Sequence, residues 1–310
     1  MKVFVLSPKE NWICDRIASE WIENNREITV ENPEDADVLW LLAGWCWNHI
    51  SPEILTSKKV ILTVHHIVPE KFDNQKHQEF LFRDQFVDAY HVPNKKTLRL
   101  VKQLTSKTVY LSPYWYDGEV WKPISKADAR NQLGIQEEKF VIGSFQRDTE
   151  GSTGLPKLEK GPDLFCDFVE QMREQSDKDL HVLLGGWRRG YVIDRLTKAG
   201  IPFDFYENVE IDTLKKMYGA CDLYVVASRY EGGPQAILEA ASMGIPIISR
   251  DVGLATDVLH PYCIVDIPRQ KALPSEEDVK FNFESVKRFE IKTHKKNYIK
   301  MFNILLETNK

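Results

Sequence analysis

Residues 222 to 254 read DLYVVASRYEGGPQAILEAASMGIPIISRDVGL and hold the densest chemistry of the chain. Glu231 and Glu239, with seven residues between them, bracket a glycine pair, Gly232 and Gly233, and the start of a helix. Pro234 suits the first helical position, where its missing N–H would be unpaired in any case. The helix then runs to Met243, Gly244 is placed for a left-handed cap, and Pro246 blocks continuation. A glycine pair ahead of a helix N-terminus leaves bare N–H groups at the positive end of a dipole, which favours a phosphate-bearing ligand. Glu231 stands at the mouth and Glu239 about a turn and a half inside, so the two carboxylates address different parts of one elongated ligand. Without further context the same turn serves equally as strand-to-helix punctuation.

These residues are positioned by short apolar runs that alternate with segments of helical period, the pattern of βαβ units and parallel sheets. The first half carries expected strands at 2–6, 28–31, 37–42, 59–64, 89–92 and 108–111, with helices at 11–24 and 76–87. The second half carries strands at 139–145, 180–184, 202–205, 222–227, 246–249 and 263–266, joined by helices at 161–173, 190–199, 212–219 and 234–243. Pro113, Gly118 and Pro123 interrupt both periodicities and mark a linker. At 310 residues two domains are expected, residues 1–123 and 124–274. A tail, 275–310, carries Val286, Phe289, Tyr298, Met301, Ile304 and Leu305 in helical rhythm and should pack on a domain surface.

Composition narrows the function classes. A net charge of −5 argues against bulk electrostatic attachment to nucleic acid. The five cysteines are scattered, with no CxxC pair, so neither a disulfide framework nor a zinc knuckle is suggested. No run approaches the roughly 18 apolar residues that span a bilayer. The chain therefore reads as cytoplasmic, with peripheral contact at the inner face of a membrane left open.

The stretch SRYEGGPQAILEAASMGIPII, with YGACDLYVVAS before it and RDVGLATDVL after it, resembles the signature of the retaining GT-B glycosyltransferases, in particular family 4 of the group 1 glycosyl transferases. The resemblance covers the C-terminal half and is weaker over the first 120 or so residues. It implies an α/β GT-B architecture: two Rossmann-like domains with parallel sheets facing a cleft, the nucleotide sugar held mainly by the second. The carboxylate matching Glu239 would hold the ribose hydroxyls, and that matching Glu231 would contact the donor sugar. Gly232, Gly233, Pro234 and Gln235 would line the nucleotide. An ionised carboxylate accepts hydrogen bonds from a vicinal diol without needing a metal, so no metal or cofactor is expected beyond the UDP- or GDP-linked donor.

GSFQRDTEGSTGLPKLEKGPDLF resembles the family's strand, Arg, loop, Lys-Gly, helix arrangement, and Arg147 and Lys160 match the two basic residues that grip the diphosphate. A leaving diphosphate gathers negative charge, so cations there act catalytically. The loop is longer than usual in the family. TVHH resembles the segment whose histidine contacts the donor sugar; neighbouring side chains alternate in direction on a strand, and His65 is preferred over His66. The implied reaction is front-face retaining transfer to a hydroxyl of a glycan, lipid or polysaccharide precursor, with Glu231, His65, Arg147 and Lys160 at the chemistry.

Several features admit other readings. Trp12, Trp45, Trp47, Trp115 and Trp121 fall in or near loops after first-half strands and suit a sugar platform, or simply bury a surface. His65 and His66 lack a third ligand nearby, and Asp35 with Asp37 precedes a strand instead of following one, so no metal site is expected. In GGWRRG, Arg188 and Arg189 are placed to approach phosphates. An epimerase or hydrolase of the same fold would need an acid and a base, for which His65 and Glu119 are the available pair. A nucleotide-sugar-binding subunit without turnover is a further alternative.

Overall fold

The computed structural model describes residues 1–151, 153–267 and 273–308. It divides into two compact units, Met1–Asp117 with Phe289–Lys310, and Gly118–Arg288. The division thus falls six residues before Pro123, and the 275–310 tail is shared between the units.

The first unit carries strands β1 (Val3–Leu6), β2 (Val38–Leu41), β3 (Lys59–Thr63), β4 (Ala89–Val92) and β5 (Thr108–Leu111), paired in that order and all parallel. Its helices are α1 (Ile13–Asn24), α2 (Pro52–Ser57), α3 (Asn74–Asp84) and α4 (Lys95–Val101). The second unit opens with α5 (Lys126–Leu133) and continues through β6 (Phe140–Phe145), α6 (Pro162–Gln175), β7 (Leu180–Gly186), α7 (Gly190–Ala199), β8 (Phe203–Glu207), α8 (Ile211–Ala220), β9 (Leu223–Val226), α9 (Gln235–Ser242), β10 (Ile247–Ser249), α10 (Ala255–Val258) and α11 (Glu276–Val286). Its five parallel strands run in the order β10-β9-β6-β7-β8. Helix α12 (Ile291–Glu307) returns to the first unit.

Two expected strands shrink to single bridges. Segment 28–31 pairs with β1 in the single bridge of Val3 with Thr29, and 263–266 pairs with β10 in the single bridge of Ser249 with Ile264. Each is an outermost segment with one neighbour, so its alternating apolar residues are satisfied without a ladder. Helix α9 starts one residue later than expected: Pro234 is its cap, with ψ of 110°, while Gly244 has the expected positive φ of 72°.

Alternation along β2 divides the first unit's core. Leu39 and Leu41 face one side with Val60, Leu62, Phe80 and Tyr90. Trp40 faces the other, where its ring packs with Trp21 of α1 (5.4 Å), Trp115 (6.3 Å) and Tyr298 and Phe302 of α12 (5.3 and 5.5 Å). Parallel strands buried on both faces need such cover. Helix α12 supplies it by burying Ile291, His294, Tyr298, Met301, Phe302 and Leu305 at helical spacing. The chain enters and leaves the first unit at adjacent points, where the Tyr116 N–H donates to the Phe289 carbonyl and the Ile291 N–H to the Tyr116 carbonyl, at 3.1 and 3.0 Å.

The second core joins Ile142, Val182, Leu184, Leu223 and Val225 of the sheet to Phe165, Phe168 and Val169 of α6 and Val192 and Leu196 of α7. Chain order reverses between β6 and β9, which are neighbours, so this unit has a topological switch point at their carboxyl ends, where ligands bind in open α/β sheets. No helix among the described residues is long and apolar enough to cross a membrane.

Candidate functional site

Both signature loops leave the sheet at this switch point. Residues 146–161 follow β6, and residues 227–234 follow β9. They meet because Gly161 has no side chain: at φ +63°, a Cβ there would lie 2.1 Å from the Ala227 carbonyl oxygen. Only glycine tolerates both the left-handed conformation and the close approach. The contact brings Lys160 Nζ to 2.7 Å from Glu231 Oε1, with both side chains mostly buried, and the Ser228 hydroxyl donates to the same oxygen at 2.9 Å. Three further ties brace this region, the first within the loop after β6, the second between the two loops and the third from the loop after β9 to α6. Gln146 Nε2 donates to the Lys160 carbonyl at 3.0 Å, the Arg229 and Tyr230 N–H groups donate to the Glu159 carbonyl, and the Arg229 guanidinium forks onto Asp163.

Glu239 lies one helical stretch deeper and is 3 % exposed. Its Oε2 accepts a hydrogen bond of 2.7 Å from the Tyr218 hydroxyl. Tyr218 is clamped by Phe145, Tyr224 and Trp121 at ring separations of 4.8, 5.1 and 5.8 Å. Burial, then the neighbouring Glu239, holds the Tyr218 phenol well above its ordinary range, so it stays a donor. At the first turn of α9, Gln235 is 7 % exposed and its Nε2 makes no hydrogen bond among the described residues.

Arg147 and Arg188 flank the Trp187 ring, with guanidinium carbons 5.8 and 3.8 Å from its centroid. Lys157, unremarked in the sequence, joins this basic group. Burial lowers its pKa, and the charges of Arg147 and Lys160 lower it further against Glu150 and Glu159. A lysine in a long loop carries no periodic signal, and only the folding of the loop reveals it.

Arg189 is different from Arg188. It is 1 % exposed, and its Nε lies 2.6 Å from Asp148 Oδ2, both side chains fully buried. Its other nitrogens donate to the Ser144 and Gly185 carbonyls and the Ser144 hydroxyl. With every nitrogen engaged inside the protein, Arg189 does not approach a phosphate as the sequence reading allowed. Burial pushes the Asp148 carboxyl up from its usual range, and the Arg189 charge and hydrogen bond draw it back.

His65 belongs to the first unit, apart from these residues in the chain's division. Its Nε2 lies 2.7 Å from the Leu42 carbonyl, to which it donates, and its Nδ1 accepts from the Tyr114 hydroxyl at 2.5 Å. The bond to the Leu42 carbonyl requires a proton on Nε2. Nearby, Cys14 Sγ is 3.5 Å away, but burial, then Asp15 and Glu10, pushes that thiol up to about 12, so it is no nucleophile. The tryptophans mostly serve packing. Trp115 is fully buried against Trp21, Trp121 packs on Tyr218 in the second unit, and Trp47 stacks on Phe86 at 5.3 Å. Trp45 is the exposed member, at 55 %, with its indole N–H donating to Glu10. Glu119 is an exposed side chain 4.0 Å from Lys122. Among the described residues no group of three or more His, Cys, Asp or Glu side chains is arranged to hold a metal ion.

Known proteins resemble this chain in sequence over its second half and in fold over nearly all of it. The family model described as "Glycosyl transferases group 1" matches residues 125–274, a stretch that lies within the second unit. The chain is 27 % identical over 144 residues to the lipopolysaccharide core biosynthesis mannosyltransferase LpsB of Rhizobium meliloti, covering 44 % of this chain and 38 % of LpsB. It is 25 % identical over 164 residues to the alpha-galactosylglucosyldiacylglycerol synthase of Streptococcus pneumoniae, covering 50 % of this chain and 40 % of that enzyme. The matches thus span about two fifths of these relatives' length. Among solved structures, HepE of Anabaena in complex with UDP and glucose superposes with a TM-score of 0.72 at 12 % identity, covering 97 % of this chain and 99 % of HepE. AviGT4, a glycosyltransferase involved in avilamycin A biosynthesis, gives 0.62 at 13 % identity, covering 100 % and 99 %. At such identities the likeness is one of fold: two parallel-sheet α/β domains of the GT-B type.

Proposed function

We propose that this chain is a metal-independent, retaining glycosyltransferase of the family 4 type that moves a sugar from a nucleoside-diphosphate donor, UDP- or GDP-linked, to a hydroxyl of a carbohydrate or lipid-linked acceptor. One observation carries the reading: Lys160 and Glu231 form a 2.7 Å pair at the switch point, immediately ahead of the helix that holds Glu239. In the reading, Lys160 and Arg147 take the diphosphate, whose negative charge grows as the glycosidic bond breaks. Lys160 leaves Glu231 for the β-phosphate, and Glu231, still held at Oε1 by Ser228, accepts a hydrogen bond from a donor-sugar hydroxyl. Glu239, oriented by Tyr218, accepts from the ribose hydroxyls. Gly232, Gly233, Pro234 and Gln235 form the entrance to α9, where N–H groups face an anion.

His65 has the weaker claim to a part in catalysis. Contact with a sugar through either ring nitrogen would displace the Leu42 or the Tyr114 bond. The UDP in the HepE complex and the sugars in the relatives' names support a nucleotide-sugar donor without fixing which one this chain takes.

Calorimetry with UDP, GDP and ADP in metal-free buffer tests the assignment. One of them should bind the unmodified protein in the micromolar range and fail to bind Glu239→Ala while the circular dichroism of the fold persists. Transfer from the matching sugar nucleotide should then keep the anomeric configuration. Absence of binding by all three nucleotides, or inversion at the anomeric carbon, would refute it.

A further inference from the structure

The loop after β6 carries an unusual investment beneath its surface. Asp148 directly follows Arg147, is fully buried, and faces the equally buried Arg189. The Arg189 guanidinium also binds the carbonyls of Ser144 and Gly185, so it joins the ends of β6 and β7 as well as the loop. Asp148 is in turn the first rung of a small antiparallel closure. Its carbonyl accepts from the Lys157 N–H at 2.8 Å, Thr149 bridges Pro156, and the Glu150 N–H reaches the Leu155 carbonyl at 2.8 Å. The Thr149 hydroxyl donates to Asp148 Oδ1 at 3.1 Å and accepts from the Tyr191 N–H in the first turn of α7. Both ends of the long loop are therefore fastened at one buried point.

Arg147 leaves the chain immediately before that point and Lys157 directly across from it. The pairing has a second consequence, because an aspartate without Arg189 would be a negative charge one residue from Arg147. Arg189 pairs with that charge inside the protein, so it is not left uncompensated beside Arg147.

We propose that Asp148 and Arg189 are positioning residues for a diphosphate, setting Arg147 and Lys157 toward the phosphates without touching the ligand themselves. This rests on the reading of the site as a nucleotide-sugar site. The test compares Asp148→Asn with Thr149→Val, a milder loosening of the same rung, using UDP and UMP as probes, or GDP and GMP, or ADP and AMP, if those are the nucleotides that bind. Affinity for the diphosphate should fall about tenfold in Asp148→Asn, while the monophosphate stays within about twofold. Thr149→Val should move the ratio the same way by less, and Asp148→Asn should add little loss in a background that lacks both cations, Arg147→Ala with Lys157→Ala. A merely structural pair would lower the melting temperature and leave the diphosphate-to-monophosphate ratio unchanged, which would overturn the proposal. If Asp148→Asn fails to fold, an unchanged ratio in Thr149→Val overturns it by itself. Binding of none of these nucleotides to the unmodified protein refutes the reading of the site, whereas binding with an unchanged ratio refutes the positioning role alone.

Discussion

Replacing Lys160 by alanine separates the chemistry of the site from its architecture. The substitution removes one ammonium 2.7 Å from Glu231, a pair whose side chains are 21 % and 12 % exposed. Partial solvation limits the loss of stability to about 1 kcal/mol, and Glu231 keeps its hydrogen bond from Ser228. The backbone around position 160 is held by bonds that do not involve the side chain, from the Lys160 N–H to the Lys157 carbonyl and from Gln146 to the Lys160 carbonyl. The melting temperature should therefore drop by only about 2 to 4 °C. The functional loss should be far larger. A charge-assisted bond to the diphosphate accounts for about 1.5 to 3 kcal/mol, or about 10- to 150-fold in nucleotide affinity. Loss of a group that meets charge developing in the transition state costs about 10²- to 10³-fold in kcat. Calorimetry with the nucleoside diphosphate, followed by a continuous assay of its release from the sugar donor, measures both. Turnover within about threefold of the unmodified protein, with the fold intact, would refute the role given to Lys160 and with it the electrostatic account of the leaving group.

Glu239→Ala should abolish nucleotide binding and also leave the Tyr218 hydroxyl without its acceptor, costing about 1 to 3 kcal/mol in chemical denaturation, whereas Glu239→Gln should recover most of that stability but little binding. Gly161→Ala should destabilise the second unit by at least about 1 to 3 kcal/mol and weaken binding, because its Cβ would overlap the Ala227 carbonyl; an unchanged denaturation midpoint would contradict the packing of the two loops. His91, buried between Thr63 and the Ser112 carbonyl, is held neutral by burial, with a pKa near 3 against 6.5 unfolded. Below pH 6.5 the unfolded chain takes up a proton that the folded chain refuses, so stability is full above that value and falls toward pH 3 by about 1.4 kcal/mol per pH unit. Urea midpoints between pH 7 and 4.5 should therefore fall more steeply for the unmodified protein than for His91→Gln, and equal slopes would contradict it.

The parallel-sheet class and most strands were legible because buried strands produce compact apolar runs such as KVILT and LYVV, bounded by turn residues. Local pattern is silent where the outcome is decided at long range. Residues 28–31 and 263–266 have the alternation of strands but lie at sheet margins, with one bridge each. The tail's helical rhythm was visible, yet nothing local says that residues from Phe289 onward pair with Tyr116 and cover Trp40 while α11 stays with the second unit. Glu231 and Lys160 stood out as residues, but their contact depends on Gly161 passing under Ala227, 71 positions of sequence being closed by one missing methyl group. Arg189 shows the reverse error. Adjacent arginines look equivalent in a sequence, although one lies on an indole face and the other is sealed inside with Asp148.

The return of α12 to the first unit also sets a schedule for synthesis. Residues 1–117 leave the ribosome first, carrying Trp21, Trp40 and Trp115, but the helix that shields those indoles is not made until positions 291–307. At about 5 to 20 residues per second, that interval is roughly 10 to 40 s. Meanwhile residues 118–288 emerge with a core of their own, so the half translated second finishes folding first. For that interval the nascent chain displays an aromatic surface that chaperones or other nascent chains can bind. Lesions in Tyr298 or Phe302 should consequently register as poor yield of soluble protein, well before any defect in a site to which neither side chain belongs.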